Sequence, residues 1–299
     1  MLFQSSHPSE KRKTFREGLK SGKLLKFPGA FNPLSAMMIE QKGFDGIYIS
    51  GSVLSNELGY PDVGLTTLTE VAGRGRQIAR VSKLPAIIDA DTGFGVPMNA
   101  ARTIQEFIEL GLSGCHLEDQ ENPKRCGHLD GKSLVSTSEM VQKIKAADHA
   151  RKLDPQFVLI ARTDARASEG LDKAIDRAKA YTDAGADVIF TEALTDLKEF
   201  ETFRKAVKVP LLANMTEFGK SRLFTAQELE SVGYNIVIYP VTLLRLAMGA
   251  AEKGLQAIQN EGSQESVVKE MQTRQALYDL THYSRYNEFD QNIFNFKLK

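Results

Sequence analysis

The segment Lys124-Arg125-Cys126-Gly127-His128 brings a thiol, two cationic side chains, a glycine and an imidazole into five consecutive positions, shortly after the acidic doublet Glu118-Asp119. A thiol and an imidazole beside fixed positive charge suit protonation of a carbanion-like carbon next to a stabilised anion. Read alone, the pentapeptide is equally a solvated basic loop with an incidental cysteine. The acidic residues shift that balance. Asp89 and Asp91 stand two positions apart, a spacing that sends side chains to one face of a strand. With Asp62 and Glu118 they form a candidate cluster of four carboxylates, whose mutual repulsion requires protons or a cation. An all-oxygen donor set suits a hard ion, Mg²⁺ or Mn²⁺, that keeps some of its waters. Zinc is not expected, because Cys126 and His128 lack partners at finger-type spacing.

These residues are far apart in the chain, so a scaffold must gather them. Eight short apolar runs read as strands: 24–27, 46–49, 86–89, 114–118, 157–162, 187–191, 210–214 and 235–239. They are buried-type runs made mostly of Val, Ile, Leu, Phe and Ala, as expected of parallel strands covered on both faces. Amphipathic stretches lie between them. One begins at Thr69-Glu70-Val71. Pro97 opens a second, with Ala100, Ile104, Phe107, Ile108 and Leu110 at helical spacing. Ser136-Thr137-Ser138-Glu139 resembles a cap before a third. Eight β/α units predict an α/β fold, a (β/α)8 TIM-type barrel. We expect one domain over 1–299, with the barrel at about 16–258 and a helical tail at about 259–299, whose stretch 263–279 has a helical pattern. The alternative is a doubly wound open sheet, but neither GxGxxG nor GxxxxGK[ST] occurs in the chain.

Barrel active sites collect at the C-terminal ends of the strands. There the sequence places Ser50-Gly51-Ser52 and Asp62 after the second strand, Asp89 and Asp91 at the third, and Glu118 and the 124–128 segment at the fourth. Arg162 follows at the fifth, Glu192 at the sixth, Asn214-Met215-Thr216 at the seventh and Arg245 beyond the eighth. Arg162, Arg245 and, on the tail, Arg274 are candidate carboxylate clamps. Cys115 and His116, inside the fourth strand, read as a core thiol and a packed or hydrogen-bonded histidine.

Composition narrows the partners. The chain has 299 residues, 42% of them hydrophobic, enough for a large core. Lys+Arg and Asp+Glu balance at 38 each, so nothing global favours nucleic acid or an anionic membrane. Two cysteines make no disulfide framework and point to a reducing compartment. The first residues are polar and lack a secretory core, and the most apolar stretch, 236–251, is interrupted by Arg245. The expectation is a cytoplasmic protein that acts on a small molecule.

Lys124 to His128, Asp89-Ala90-Asp91-Thr92-Gly93-Phe94-Gly95, Leu117-Glu118-Asp119-Gln120 and Ala161-Arg162-Thr163-Asp164 together resemble the isocitrate lyase / phosphoenolpyruvate mutase superfamily. The resemblance extends from about Phe15 into the tail, through Met271-Gln272-Thr273-Arg274 and Leu277-Tyr278. It implies a Mg²⁺-dependent carbon–carbon lyase of a hydroxy-tricarboxylate, working by retro-Claisen cleavage. The implied catalytic residues are Cys126, His128, Arg162 and Glu118. Metal contacts map onto Asp89 and Asp91, with Asp62 and Glu118 in support. Substrate contacts map onto Ser50, Gly51, Ser52, Gly127, Arg162, Glu192, Asn214, Met215, Thr216, Arg245 and Arg274. The resemblance also implies a homotetramer of dimers that swap a C-terminal helix. The cysteine sets the chain apart from members that lack the thiol, such as phosphonate mutases and oxaloacetate-type hydrolases. From a different class, a non-catalytic barrel that binds a dicarboxylate would share the fold without turnover.

Overall fold

A computed structural model of the protein describes residues 6–125 and 131–294. Eight strands run parallel: β1 (Leu25–Pro28), β2 (Ile47–Ile49), β3 (Ala86–Asp89), β4 (Gly114–Glu118), β5 (Val158–Thr163), β6 (Val188–Thr191), β7 (Leu211–Asn214) and β8 (Ile236–Tyr239). Their order is β1-β8-β7-β6-β5-β4-β3-β2. The two ends of that order meet at a parallel bridge between Gly29 and Tyr48, with the Ala30 amide donating to the Tyr48 carbonyl at 2.8 Å. The sheet thus curls into a barrel, and the doubly wound alternative, which needs two open edges, is excluded.

Strand alternation divides the core in two. Phe27, Tyr48, Ile87, Val158, Ile160, Val188, Phe190, Leu212, Ile236 and Ile238 fill the barrel interior, and Phe15 and Leu19 of the first helix (Pro8–Lys20) belong to the same cluster. The intervening residues, among them Ile47, Ile49, Ile88, Leu117, Leu159, Ala161, Ile189, Leu211 and Val237, pack outward under the helices. A parallel strand buried on both faces has no polar side, which is why these runs read as continuous apolar stretches.

The helices start where side chains satisfy their free amides. Ser136 caps Thr137–Ala150, and Pro97 occupies the first turn of Pro97–Glu109. The helix expected from Thr69 starts at Leu68, because Thr67 and Glu70 form a capping box. The tail differs more from expectation. The stretch 263–279 is not continuous: a 3₁₀ turn, Glu265–Glu270, is followed by extended backbone at Met271, and Thr273 caps a new helix, Arg274–Leu280. A capping threonine inside a helical pattern interrupts it. A further helix spans Tyr283–Phe294. By internal packing the chain forms two compact units, Met1–Leu243 and Leu244–Lys299. No helix among the described residues is long and apolar enough to cross a membrane.

Candidate active site

The inward positions at the C-terminal ends of the strands carry the chemistry. Asp89, Glu118 and Arg162 are the inward residues that follow Ile87, His116 and Ile160 on β3, β4 and β5. In register, Asp89 lies beside His116 and Glu118 beside Arg162. Asp89 is held by the Gly51 amide at 3.1 Å and the Asp91 amide at 3.0 Å. Burial opposes its charge, but Lys124, Arg162 and the Asp91 amide, joined by His116 once that ring is protonated in acid, hold it below the usual carboxylate range. Asp91 joins it by a route other than strand alternation: β3 ends at Asp89, and Asp91 turns back with a left-handed φ of 46°. The glycine at 51 is required there. A Cβ at that position would lie 2.9 Å from Asp89 Oδ2 and 3.1 Å from Asp91 Oδ1. Ser50 caps the helix Gly51–Glu57, which directs the Gly51 amide toward the carboxylates.

Lys124 completes this cluster. Its side chain is 3% exposed, pairs with Asp62 and stands 2.8 Å from Asp91 Oδ1. Burial disfavours the ammonium, but Glu118, Asp91, Asp89 and Asp62 outweigh it and hold Lys124 firmly charged. Asp91 is pushed up to about 6 by burial and by its carboxylate neighbours, against the pull of Lys124. Glu118 is fully buried, and among the described residues neither of its oxygens has a hydrogen-bond partner; Arg162 Nη1 is 3.2 Å from Oε2 without the alignment of a hydrogen bond. Burial therefore drives Glu118 strongly toward its protonated form, against the opposing fields of Arg162 and Lys124.

The site fits a hard cation. Among the described residues both Glu118 oxygens are buried acceptors without hydrogen bonds, and Asp91 Oδ1 meets only the Lys124 ammonium. Among the described residues no three acidic, His or Cys side chains close into a cage. Asp89 and Asp91, with Asp62 and Glu118 in support, are the residues that would hold such an ion.

Arg162 faces the cluster from β5. Its Nε and Nη2 donate to Asp164 at 3.0 and 3.1 Å, Nε is 3.5 Å from Glu192, and its guanidinium lies 5.1 Å from the Phe190 ring centroid. Asn214 on β7 points its amide at both Glu192 oxygens, 3.4 Å away. Beneath the carboxylates, the Tyr48 hydroxyl lies 2.8 Å from His116 Nε2. Burial pushes His116 down to about 4, so it is neutral at pH 7, and its 3.6 Å approach to Asp89 is not an ion pair.

Of the residues named from sequence, Asp62, Asp89, Asp91, Glu118, Arg162, Glu192, Ser50, Gly51 and Asn214 gather at this mouth through the contacts above. Ser52 and Thr216 are half-buried, and Met215 is buried with its sulfur accepting from the Phe224 amide at 3.2 Å. Cys126, Gly127 and His128 lie outside the described residues. Arg245, in the helix Thr242–Glu261, and Arg274, at the start of Arg274–Leu280, belong to the second unit. Sequence reasoning missed Lys124 as the cation inside the carboxylate cluster. It also missed Asp119 and Asp164, which appear only as parts of motifs. Asp119 follows Glu118 and so points outward, where it accepts from Thr163 Oγ1 at 2.8 Å, the Asp164 amide at 2.9 Å and Tyr181 OH at 2.8 Å. Alternation after an acidic doublet is the signal that would have separated the two roles.

A closed β/α ring whose mouth carries a cluster of buried carboxylates with a buried lysine and a buried arginine defines a barrel enzyme built for a charged substrate. Comparison with known proteins refines that class. The model of the phosphoenolpyruvate phosphomutase family matches residues 15–259, and the chain belongs to that family. It is 58% identical over 296 residues to a probable 2-methylisocitrate lyase of Corynebacterium glutamicum, covering 99% of this chain and 96% of that one. It is 46% identical to the 2-methylisocitrate lyase of Halalkalibacterium halodurans, covering 98% of this chain and 97% of that one. Among solved structures it superposes on 2,3-dimethylmalate lyase with a TM-score of 0.89 at 31% identity, covering 99% of each chain.

Proposed function

We propose that the protein is a Mg²⁺-dependent carbon–carbon lyase that cleaves (2S,3R)-2-methylisocitrate to pyruvate and succinate, the closing reaction of the methylcitrate cycle in propionate catabolism. Near full-length identity to relatives of that name carries the reading, and the carboxylate–arginine mouth supports it. Mg²⁺, or Mn²⁺ in its place, would supply Lewis acidity that lowers the pKa of the substrate hydroxyl. The chain's own residues do the rest. The hydroxyl proton passes to a base, for which Glu118 and a hydroxide held by the cation are the candidates. As the C2–C3 bond breaks, its electron pair moves into the departing dicarboxylate, which becomes an aci-carboxylate with added negative charge. Arg162, with His128 and amides near Gly127, stabilises that charge. Cys126 then gives a proton to the carbon, so it must enter the cycle as a thiol. Ser50, Gly51, Ser52, Glu192, Asn214, Met215 and Thr216 line the substrate, with Arg245 and Arg274 as further carboxylate contacts. A reducing, cytoplasmic compartment keeps that thiol available.

We assign a homotetramer with swapped C-terminal helices as the assembly. Two features support a covering partner. Leu246, Met248, Leu255 and Ile258 of the second unit are between 51% and 68% exposed. On the first unit an apolar groove of about 510 Å³ is lined by Pro28, Met38, Ile39, Phe44, Tyr239 and Leu243. Sedimentation of the purified protein tests the assembly.

The activity test mixes purified protein with Mg²⁺ and 2-methylisocitrate and follows pyruvate, with isocitrate, 2,3-dimethylmalate and oxaloacetate in parallel. Preferred cleavage of 2-methylisocitrate, lost with EDTA and in Cys126→Ala, is the expected result. A one-methyl preference over isocitrate is worth about 10- to 200-fold. Turnover of oxaloacetate alone, surviving Cys126→Ala, would replace the lyase with a decarboxylase.

A further inference from the structure

Lys143 stands where the pattern of its helix calls for an apolar side chain. The helix Thr137–Ala150 buries Met140, Lys143, Ile144, Ala147 and Ala150, a stripe at three- and four-residue spacing that faces the core. The lysine in that stripe is 5% exposed, and a lysine so placed needs a partner. Its Nζ donates to the Thr92 carbonyl at 3.1 Å. Burial lowers the pKa of this ammonium, against the fields of Glu139 and Glu118. Thr92 belongs to the turn Ala90–Gly93, which follows β3 and carries Asp91.

Every carbonyl of that turn is held. The Gly93 amide closes it by donating to the Ala90 carbonyl at 2.8 Å, and the Glu118 amide donates to the Asp91 carbonyl at 2.9 Å. Lys143 takes the Thr92 carbonyl. Thr103 Oγ1, from the helix Pro97–Glu109, shares its proton between the Gly93 carbonyl at 3.3 Å and the Asn99 carbonyl at 2.9 Å. Asp91 needs such support. Its φ of 46° lies in the left-handed region, where a residue with a Cβ persists only when its surroundings fix it. The turn in this form brings the Asp91 carboxylate to the barrel mouth, where Oδ1 stands 2.8 Å from Lys124. Among these donors to the turn, Lys143 is the charged one, and it belongs to a helix that supplies no other group to the mouth described above.

We propose that Lys143 is a positioning residue that sets the direction of the Asp91 carboxylate through the Ala90–Gly93 turn, and so sets the affinity of the site for a divalent cation. The statement about affinity rests on the reading of Asp89 and Asp91 as the cation's carboxylates. Lys143 acts through the backbone. Without its ammonium a buried carbonyl is left with no donor and is driven to rotate toward water, and the turn that aims Asp91 unwinds with it. Loss of a group that holds a metal ligand in place costs about 10- to 100-fold in metal affinity.

The test compares Lys143→Met with Lys11→Met on the whole protein. Lys11 is a matched control. It is 4% exposed and donates to a backbone carbonyl at 2.8 Å, but that carbonyl belongs to Ala79, at the end of the helix Leu68–Ala79. Two readings are taken. Mn²⁺ binding is titrated by electron paramagnetic resonance without substrate. Hydrogen exchange, read by mass spectrometry, follows the peptides that carry the Gly93 and Glu118 amides, with β8 as the reference for the rest of the barrel.

The expected result for Lys143→Met is a Mn²⁺ dissociation constant raised about 10- to 100-fold, with faster exchange in the two turn peptides and unchanged protection of β8. Lys11→Met should leave the constant as it was. The proposal is overturned if Lys143→Met binds Mn²⁺ as the unaltered protein does, if Lys11→Met weakens binding by the same factor, or if exchange in the two peptides is unchanged. Should Lys143→Met not fold, Lys143→Gln, whose shorter stem draws the donor back from Thr92, is read in its place. If the unaltered protein takes up no Mn²⁺, the statement about affinity is overturned, and exchange alone decides whether Lys143 holds the turn. Uptake of Mn²⁺ without cleavage of any offered acid would remove the lyase reading, while the same two readings still decide this one.

Discussion

Replacing Lys124 by methionine should make the protein depend on a divalent cation for stability. Lys124 is 3% exposed and sits between Asp62 and Asp91, with Asp89 and Glu118 adding to its field. Removing one partner of a buried ion pair costs about 3–5 kcal/mol, because the remaining charge is stranded. Part of that loss is recoverable by protonation. Asp91 is already pushed up to about 6 and rises further without the lysine, so its neutralisation by a proton offsets part of the cost. The net loss in EDTA is then about 2–4 kcal/mol. At about 2–4 °C per kcal/mol for a chain somewhat under this size, the melting temperature should fall by roughly 5–15 °C. Mg²⁺ at a hundred times its Kd stabilises by about 2.7 kcal/mol, and in the variant it also supplies the missing positive charge. Calorimetry in EDTA and in Mg²⁺ should therefore show a larger Mg²⁺ shift for Lys124→Met than for the unaltered protein. Lowering the pH from 7.5 to 5.5 in EDTA should narrow the gap, as protons replace the ammonium. A variant that melts within 2 °C of the original in EDTA, with an equal Mg²⁺ shift, would refute the view that lysine and cation serve the same carboxylates.

Three other expectations can be checked directly. Burial holds Lys11 down to about 8 from 10.5, against the field of Glu40; the unfolded chain binds the extra proton between those values, so stability rises with pH across that window, by at most about 3 kcal/mol. Urea titrations at pH 7.5 and 10 should show that rise in the original and its absence in Lys11→Met, and parallel behaviour of the two proteins would count against it. Arg162→Lys gives up the fork to Asp164 and the Phe190 contact, so kcat/KM for 2-methylisocitrate should drop about 10²- to 10³-fold; a loss under threefold would remove Arg162 from the mechanism. Tyr181→Phe deletes a 2.8 Å donor to the buried Asp119 and should cost about 1–3 kcal/mol in urea unfolding, whereas an unshifted midpoint would mean that Asp119 draws no stability from it.

Much of the barrel was legible because each strand must be apolar on both faces. β3 and β4 were read with their observed bounds, and the other strands differ from expectation by about a residue at either end. The tail was less legible. A helical pattern ran through Met271 to Thr273, and only the capping behaviour of Thr273 divides it. The pair Asp89 and Asp91 was read correctly as neighbours but for a different reason, since the left-handed turn at Asp91, not strand alternation, joins them.

The sequence by itself determined the kinds of groups available and the period of the scaffold that carries them: carboxylates, an arginine and a thiol-bearing segment, each after an apolar run. Those features are local, and local spacing records them. The tertiary structure alone decided which charges meet. Lys124 enters the carboxylate cluster, Asp164 is shared by Arg162 and Lys132, and adjacent Glu118 and Asp119 face opposite sides of the wall. The physical reason is that pairing energy between charges depends on distance and burial in space. Residues 62 and 124, or 132 and 164, acquire that distance only when the ring of strands curls into a barrel.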